Sequence, residues 1–421
     1  MTAQHELDLI LDAFFVDGTD ELADRVIDAA LDQIDHTDQR RRMRTPRRFQ
    51  TMSLPLRFAA AAMIGVIALG GAFLLWKPFQ SGVGSQATPA PAWTTTGARA
   101  VDAQSLMAVR LDDGRVLVMG GGGPTGASAV AEIYDPRAGA WNATDSMPYP
   151  RAFPFATLLK DGRVLVVGGD DPGSFEADLF DPRSGTWTAT TPPRQPRGQP
   201  SALTLRDGRV LVVGGTSGGA SGPQAELYDA VRATWTATAP MQVARANPAM
   251  SLLPDGRVLV AGGFAGDIGN TLGETAEIYD PMADIWTETG AMHASRVFAA
   301  TTVLGDGRVL IVRGGRTGDV YDPATRVWTP TGPMQESYPD DAVVVAATLP
   351  DGTVYHTRGG GTGQTYDPGT NQWTRVPSGP SASNVLSATP LLDGRVLIVE
   401  SSKSGGGGTP SAELLNPAAL P

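Results

Sequence analysis

The chain has 421 residues, of which 51 are glycine, 33 are proline and none is cysteine, and its formal net charge is −11. The absence of cysteine excludes disulfides, thiol nucleophiles and cysteine-based zinc or iron–sulfur sites. The negative charge argues against general nucleic-acid binding, which depends on an excess of Lys and Arg. Charged residues make up 18% and aromatic residues 7% of the chain, and with the many glycines this indicates a turn-rich, β-dominated protein.

The first 39 residues are acidic, and their apolar side chains recur at helical spacing. The two apolar stripes consist of Leu7, Ile10, Leu11 and Phe14, and of Leu22, Val26, Ala29, Ala30 and Ile34. This pattern predicts two short amphipathic helices in residues 1–39. Because helices this short bury little surface alone, we expect the tail to dock on a cytoplasmic partner or to stay loosely folded.

An uncharged stretch, FAAAAMIGVIALGGAFLLW at residues 58–76, predicts a single transmembrane helix. At 1.5 Å per residue it nearly matches a hydrocarbon core of about 30 Å. The alternatives are a buried core helix or a cleaved signal peptide, although a signal peptide would begin near residue 1. Seven arginines precede the stretch within residues 40–57, whereas only Lys77 closely follows it. The positive-inside rule therefore predicts a cell-membrane protein with its N-terminus in the cytoplasm and its C-terminal region outside.

Residues 77–92 predict a flexible linker, because they contain the small-residue and proline sequence GVGSQATPAPA. The order of acidic tail, arginine run and single span resembles the cytoplasmic segments of bacterial membrane-anchored sensor or anti-sigma-like proteins. This resemblance implies a signalling role as an alternative function. The lack of cysteine excludes the zinc-binding type of anti-sigma domain.

Residues 93–421 repeat one pattern seven times. Each copy contains an apolar strand, an Asp-Gly turn and a second apolar strand, as in the segment DGRVLV. The turns begin at Asp113, Asp161, Asp207, Asp255, Asp306, Asp351 and Asp393. An Asp-Gly pair between apolar runs is a strong hairpin signal. The spacing of 42 to 51 residues between successive turns is typical of propeller blades.

Paired glycines follow the second strand of most copies, and an aromatic residue and a tryptophan follow in turn. The aromatic residues are Tyr134, Phe180, Tyr228, Tyr279, Tyr321 and Tyr366, and the tryptophans are Trp141, Trp187, Trp235, Trp286, Trp328 and Trp373. These features resemble the bacterial kelch repeat, and the resemblance implies an all-β, seven-bladed β-propeller. We expect the aromatic residues to fill the space between neighbouring blades.

The seventh copy ends in AELLNPAALP without a tryptophan, whereas an isolated Trp-Thr-Thr-Thr-Gly begins at Trp93. An N-terminal strand at residues 93–97 that completes the last blade would close the ring and remove two open sheet edges. The sequence therefore predicts a closed kelch-like propeller, and the alternative is an open array whose last blade is one strand short.

Kelch propellers also resemble the catalytic domain of galactose oxidase and glyoxal oxidase. That resemblance implies a copper centre with a thioether-linked Tyr–Cys pair and histidine ligands, which this sequence cannot supply. It has no cysteine, and its repeats contain only His293 and His356. No phosphate-binding loop and no G-x-S-x-G nucleophile motif is present either. We therefore predict no catalytic residue, cofactor or metal, and an enzyme acting on glycans or the cell wall is the less favoured alternative.

Four consecutive repeats carry an arginine ten residues after the tryptophan. These residues are Arg151, Arg197, Arg245 and Arg296, and Arg313 and Arg358 lie beside the paired glycines of the fifth and sixth repeats. Arginine binds carboxylates through two parallel hydrogen bonds, and similar eukaryotic kelch proteins bind acidic peptides with matching loops. The six arginines are therefore predicted to bind an anionic ligand. The alternative is that the four loop arginines pair with acids of the third strands, Asp178, Glu226, Glu277 and Asp319.

The sixth repeat departs from the other six at two positions. Thr353 replaces the arginine after the Asp-Gly turn, and Gln364 replaces the third-strand acid. Because both charges are lost together, we predict that they belong to one structural network.

These observations predict a membrane-anchored, extracytoplasmic binding module. Its ligand is expected to be a protein, peptide or carbohydrate, with anionic groups favoured and nucleic acid excluded.

Overall fold

The computed structural model describes residues 92–99, 105–123, 126–169, 176–217, 220–264, 273–313, 315–338, 344–359, 362–377, 385–401 and 412–420. All of them belong to one compact unit, residues 87–421. The predicted tail, basic segment, transmembrane helix and all but the last residue of the linker lie outside the described residues. None of the described residues forms a helix with the length and hydropathy that crossing a bilayer requires.

The described part of the chain consists of short β-strands and one short 3-10 helix at Pro417–Ala419. The first half contains β1 (Trp93–Thr95), β2 (Met107–Arg110), β3 (Val116–Met119), β4 (Gly122–Gly123), β5 (Gly126–Ala127), β6 (Ala131–Asp135), β7 (Ala140–Ala143), β8 (Phe155–Leu158), β9 (Val164–Val167), β10 (Ala177–Asp181), β11 (Thr186–Thr190), β12 (Ser201–Thr204), β13 (Val210–Val213), β14 (Thr216–Ser217), β15 (Ala220–Ser221), β16 (Ala225–Asp229) and β17 (Thr234–Ala237). The second half contains β18 (Ala249–Leu252), β19 (Val258–Ala261), β20 (Ala276–Asp280), β21 (Ile285–Glu288), β22 (Ala300–Val303), β23 (Val309–Val312), β24 (Asp319–Asp322), β25 (Val327–Pro330), β26 (Val345–Thr348), β27 (Val354–Gly359), β28 (Thr362–Asp367), β29 (Gln372–Val376), β30 (Val385–Pro390), β31 (Val396–Glu400) and β32 (Ala412–Leu415).

Twenty-eight of these strands form seven four-stranded antiparallel sheets within the described residues, and each of these sheets is one propeller blade. The other four strands form two short two-stranded sheets, β4-β5 and β14-β15. Blade 1 is β2-β3-β6-β7, and blades 2 to 6 follow in chain order with the same meander. Blade 7 is β30-β31-β32-β1. The first strand of every blade contacts the first strands of both neighbouring blades, so the seven first strands form a closed inner ring. The predicted seven-bladed, all-β architecture is therefore confirmed.

The ring is closed by the N-terminal strand, as predicted. In β1, Trp93 pairs with Leu415 and Thr95 with Glu413 of β32. The backbone N–H of Asn416 donates to the carbonyl of Ala92 at 2.8 Å, which continues the ladder beyond the paired residues. Because β1 is hydrogen-bonded along β32, blade 7 has four strands like the other blades, and its third strand is not left as an open sheet edge.

The hydrophobic core lies between neighbouring blades. Most positions of the second strands are buried, as in VLVM of β3 and VLVV of β9, because both faces of these strands are covered by adjacent sheets. One cluster joins Leu117 and Met119 of blade 1 to Val164, Val166 and Phe180 of blade 2, and equivalent clusters follow around the ring. This arrangement confirms that the core residues are shared between blades.

The predicted aromatic pairs also lie at these blade interfaces. In blades 1 to 6 the third-strand aromatic ring packs against the fourth-strand tryptophan, with ring centroids 4.8–5.1 Å apart. The indole nitrogen of each tryptophan then donates to the preceding blade, for example from Trp235 to the carbonyl of Thr191 at 2.7 Å. Trp93 of blade 7 donates in the same way to the carbonyl of Pro377 in blade 6 at 3.0 Å. The tryptophans therefore link consecutive blades as well as filling space.

Candidate functional site on the loop face

The two faces of the ring differ in how their connections are built. One face, the turn face, carries the connections between first and second strands and between third and fourth strands. The loop face carries the connections between second and third strands and those from each fourth strand to the next blade. On the turn face of every blade, a leucine N–H and the Asp-Gly turn close the same pair of backbone hydrogen bonds, as at Leu111 and Gly114. The loop face has no such uniformity, because the second-to-third connection spans residues 262–275 in blade 4 but only 360–361 in blade 6.

The charges of the turn face are paired within the turns themselves. In each DGR turn, the arginine forms an ion pair with the turn aspartate at 2.6–2.8 Å. Several of these arginines also donate to the third-to-fourth turn of the next blade, for example from Arg115 to the carbonyl of Pro182 and from Arg395 to that of Pro136. These contacts stabilise the turns and link neighbouring blades.

The four loop arginines are buried ion-pair residues. Their whole side chains and backbones are 1–3% exposed. The pairs are Arg151 with Asp178, Arg197 with Glu226, Arg245 with Glu277 and Arg296 with Asp319, at 2.6, 2.6, 3.2 and 2.5 Å. In each case the acid is the third-strand residue of the blade that the arginine precedes. The alternative reading of the sequence, a repeated structural bridge, is therefore what the structure shows.

Besides their acids, Arg151, Arg197 and Arg245 each bond two backbone carbonyls. Arg245 donates to Glu277 through Nε and Nη2, and through Nη1 to the carbonyls of Gly262 and Thr275 at 2.8 and 2.9 Å. Burial lowers the pKa of Arg245, although a guanidinium remains charged at neutral pH. Burial likewise raises the pKa of Asp178, and the Arg151 charge and hydrogen bond oppose this effect. The buried arginine and acid side chains therefore hold the loops in place from the protein interior, and their charges do not face solvent.

The paired glycines are required by this arrangement. A Cβ atom on Gly214 or Gly262 would lie 2.0 Å from the backbone oxygen of Arg245 or Arg296. Both glycines also adopt left-handed conformations, with φ of +61° and +67°. The first glycine of the pair thus lets the backbone of the next loop pass close by and accepts a hydrogen bond from the buried arginine of the preceding loop.

Arg313 and Arg358 lie outside this series. The side chain of Arg358 is exposed, and its guanidinium carbon is 5.9 Å from the ring centre of Tyr338, which is within cation–π range. Arg313 is half-buried. An arc of six exposed cations is therefore not formed, and the ligand-binding role that the sequence suggests for the four loop arginines has no accessible charge to support it.

Blade 6 replaces the buried ion pair with neutral groups. Tyr338 occupies the arginine position, and the amide of Gln364 accepts from the N–H groups of Gln335 and Glu336 at 2.7 and 3.1 Å. Thr353 instead hydrogen-bonds Asp351 on the turn face. The prediction of one shared charge network is wrong, because the two substituted positions belong to separate networks at opposite faces.

His356 is the most unusual buried group in blade 6. It is 0% exposed, stands opposite Gln364 in the strand register, and occupies the position that Val118 and Val166 hold in blades 1 and 2. Its Nδ1 lies 3.1 Å from the carbonyl of Val345, and its Nε2 has no hydrogen-bond partner. Burial lowers the pKa of His356 to about 4. The imidazole is therefore neutral at physiological pH.

The loop face also carries four residues whose unusual backbone the sequence reasoning missed. Two residues after each buried arginine, the backbone turns into the left-handed region, with φ of 47–54°. These residues are Phe153, Gln199, Asn247 and Phe298; the two phenylalanines are exposed, whereas Gln199 and Asn247 are half-buried. Each stands two residues before the first strand of its blade, so the four lie at the same end of four consecutive inner strands. Aligning the repeats on the arginine would have identified the position, but not its conformation.

The residues do not fit the copper centre that the oxidase resemblance implies. His293 Nδ1 lies 2.8 Å from Asp319 in blade 5, whereas His356 is enclosed in blade 6. The described residues contain no group of three or more His, Asp or Glu side chains that could hold a metal ion. The chain also has no cysteine for a Tyr–Cys link.

Two shallow pockets lie on the turn face between neighbouring blades. One, of about 390 Å³, lies between blades 3 and 4 beside Met282, and the other, of about 320 Å³, lies between blades 5 and 6 beside Thr353. The first is lined by turn ion pairs such as that between Arg257 and Asp255. Both pockets lie between the turns of two adjacent blades.

Comparisons with known proteins agree with the fold. Residues 252–293, in blade 4 and the loop that follows it, match the Kelch motif. The structure is similar to that of a fungal alcohol oxidase with catalytic diversity among the AA5 family, solved in complex with copper. The two chains are 18% identical, the match covers 77% of this chain and 76% of that chain, and the TM-score is 0.63. Similarity at this identity shows the fold alone. No curated protein matches the sequence.

The chain is thus a seven-bladed β-propeller with a Kelch motif in its fourth blade. Propellers of this type suggest a protein- or ligand-interaction module.

Proposed function

We propose that this protein is a membrane-anchored, extracytoplasmic binding module that meets its ligand on the loop face of the propeller. The observation that carries the proposal is the contrast between the two faces. One face repeats a single turn around the ring, whereas the other varies in loop length and side chains from blade to blade. Binding residues tend to lie on variable loops that a rigid scaffold positions.

The energetic design of the scaffold supports this role. Four buried ion pairs and the close glycine contacts fix the fourth-to-first loops, so little ordering is needed when a ligand binds. Preorganisation of this kind increases affinity because less conformational entropy is lost on binding.

Anchoring in the membrane rests on residues 58–76 and on the arginines that precede them. We expect the full chain to stay in the membrane pellet after an alkaline carbonate wash, and Ile67→Arg to release it. Protease added to intact cells should digest the propeller and spare residues 1–39. Release of the unaltered chain by carbonate would refute the anchor.

The binding face can be tested without knowing the ligand. A photo-crosslinking amino acid is placed at Phe153 on the loop face or at Val231 on the turn face, where the side chains are 39% and 94% exposed. In native membranes, the proposal predicts crosslinked adducts from position 153 and none from position 231. Adducts from position 231 alone would show that the turn face is the binding face.

A further inference from the structure

The turn face carries the most exposed apolar side chains of the described residues. Val231 and Met282 are 94% and 92% exposed, and Leu392, Ile285 and Val327 are 65%, 55% and 52% exposed. All five lie in the turns of this face or at the first residue of the fourth strand that follows them. The large apolar side chains that are exposed on the loop face reach only 36–45%. The apolar surface that the propeller offers to a partner is therefore concentrated on the turn face.

We propose that the turn face rests on the outer surface of a lipid bilayer, with Val231 and Met282 inserted among the lipid headgroups. This inference rests on the proposed function, because the bilayer is the one in which residues 58–76 would anchor the chain. It adds the face of the propeller that contacts the lipid and the residues that make the contact. The loop face then stays open to a ligand.

Val231 and Met282 occupy the same position in neighbouring blades. Each stands two residues after the last residue of the third strand, Asp229 or Asp280, and donates its backbone N–H to that carboxylate at 2.9 Å. Both side chains are therefore carried on turns of the same shape, at the same end of their blades. Equivalent positions around a ring lie in one plane, and a bilayer surface is a planar partner that meets both at once.

The same position in blades 1 and 2 carries a cation instead. Arg137 and Arg183 are exposed, and their backbone N–H groups donate to Asp135 and Asp181 at 2.9 Å. Guanidinium groups bind phosphate through two parallel hydrogen bonds. In blades 1 to 4 the turn tips thus read Arg, Arg, Val, Met. Cations that bind lipid phosphates beside inserted apolar side chains are typical of interfacial membrane contacts.

The chain enters the propeller on this face. Trp93, the first residue of β1, pairs with Leu415 at the turn-face end of β32, and the N–H of Asn416 donates to the carbonyl of Ala92 just beyond it. The flexible linker that the sequence predicts at residues 77–92 would have a root-mean-square length of roughly 20–24 Å. A short linker that joins the propeller at the turn face brings that face to the lipid first.

The point of entry and the apolar tips lie on opposite sides of the ring. The chain enters at blade 7, and blades 3 and 4 are each three blades away from it, in the two directions around the ring. A face that is tethered on one side and held by inserted side chains on the other resists tilting away from a planar surface. Leu392, in the first-to-second turn of blade 7, adds an exposed apolar side chain on the tethered side.

Tethering compensates for the formal net charge of −11, which gives the chain no long-range attraction to lipid phosphates. Two inserted apolar side chains alone would bind a membrane weakly, because binding strength scales with the buried apolar area. A flexible linker converts docking into an intramolecular event with an effective concentration on the order of millimolar. Weak contacts are populated under this condition, so a few inserted side chains are sufficient.

The test uses the full chain in phosphatidylcholine vesicles. Because the chain has no cysteine, Val231→Cys or Met282→Cys can carry a single nitrobenzoxadiazole fluorophore, and Phe153→Cys on the loop face is the matched control. We expect nitroxide groups on the lipid chains to quench the fluorophore at positions 231 and 282, with a shift of its emission to shorter wavelength, and to leave position 153 unchanged. Adding Met282→Asp should weaken the quenching at position 231 several-fold, because a carboxylate is costly to insert, whereas adding Tyr149→Asp on the loop face should not.

Absence of quenching at both turn-face positions, or equal quenching at position 153, would overturn the inference. An emission shift without nitroxide quenching would also overturn it, because it would show burial against protein, such as a second copy of the chain. Flotation of the vesicles after an alkaline wash separates this failure from that of the proposed function. If the chain floats and the probes are not quenched, the anchor stands and the turn-face contact fails. If the unaltered chain does not float, the anchor and the contact both fail. Lipid at position 231 yields no protein adduct, so the crosslinking test of the loop face is independent.

Discussion

Replacing His356 with valine should make the protein less sensitive to acid. In the native structure the imidazole is fully buried between the rings of Tyr338 and Trp373, with centroids 5.2 and 5.6 Å away, and its Nε2 has no partner. A protonated imidazole would carry an unpaired charge into this space. Valine is the residue that most other blades carry at the same register position, as at Val212 and Val260.

The magnitude follows from linkage between protonation and folding. Burial lowers the pKa of His356 from 6.5 to about 4 in the folded state. Between these values the unfolded chain binds more protons than the folded chain, so the free energy of unfolding falls as the pH falls through this window. Through His356 alone, the free energy of unfolding falls by about 2 kcal/mol between pH 7 and pH 5, and by roughly 3 kcal/mol by pH 4.

The assay is urea denaturation of the full chain at half-unit pH steps from 7 to 5, followed by tryptophan fluorescence. His356→Val leaves a smaller side chain and should lower the free energy of unfolding by about 1–2 kcal/mol near pH 7, where the parent's histidine is neutral in both states. The difference between the two proteins should therefore shrink steadily as the solution is acidified. Ile311→Val, at the same register position in blade 5, removes buried volume without a titratable group; it is the control and should keep the parent's acid response. Parallel pH profiles for the parent and His356→Val would refute the reasoning.

Three further substitutions test the scaffold by the same denaturation assay. Arg245→Met should lower the free energy of unfolding by about 3–5 kcal/mol, because it leaves Glu277 charged and unpaired in the interior. Adding Glu277→Val should restore most of that free energy, and a double variant as unstable as the single one would contradict this. Trp93→Ala should lower the free energy of unfolding by about 2–3 kcal/mol, because it removes the indole hydrogen bond and the packing that join blades 6 and 7. An unchanged urea midpoint would argue against the role of β1 in closing the ring. Gly262→Ala should destabilise the protein by at least about 2 kcal/mol more than Gly139→Ala, because both glycines have left-handed backbones but only Gly262 lacks room for a Cβ. Equal destabilisation by the two variants would show that the close contact at Gly262 is unimportant.

The architecture could be predicted from the sequence because its determinants are local and repeated. An Asp-Gly turn specifies a hairpin wherever it occurs, and seven copies fix the number of blades. Trp93 could be assigned to the last blade because only the seventh copy lacks a tryptophan. The membrane anchor, its orientation and the cytoplasmic tail stay predictions.

The chemistry of the loop face could not be predicted in the same way. A repeated arginine in a loop has the same sequence signature whether it faces solvent or an acid some 23–32 residues further along. Only the fold shows that Arg245 and Glu277 meet in the interior. Likewise, the residue type at Phe298 does not predict a left-handed backbone, because that conformation is imposed by the hydrogen bonds of neighbouring loops. Tertiary context decided both outcomes.

The pairing of β1 with β32 also sets the order of events during synthesis. Thr96 bonds Ala412, 316 positions further along the chain, so the first propeller strand to leave the ribosome must wait for the last before it finds its partner. Until then blade 7 exposes a sheet edge, and the growing protein is vulnerable to aggregation. The same pairing should slow unfolding of the finished ring, because the ring cannot open at blade 7 until the N-terminal strand β1 separates from the C-terminal strand β32.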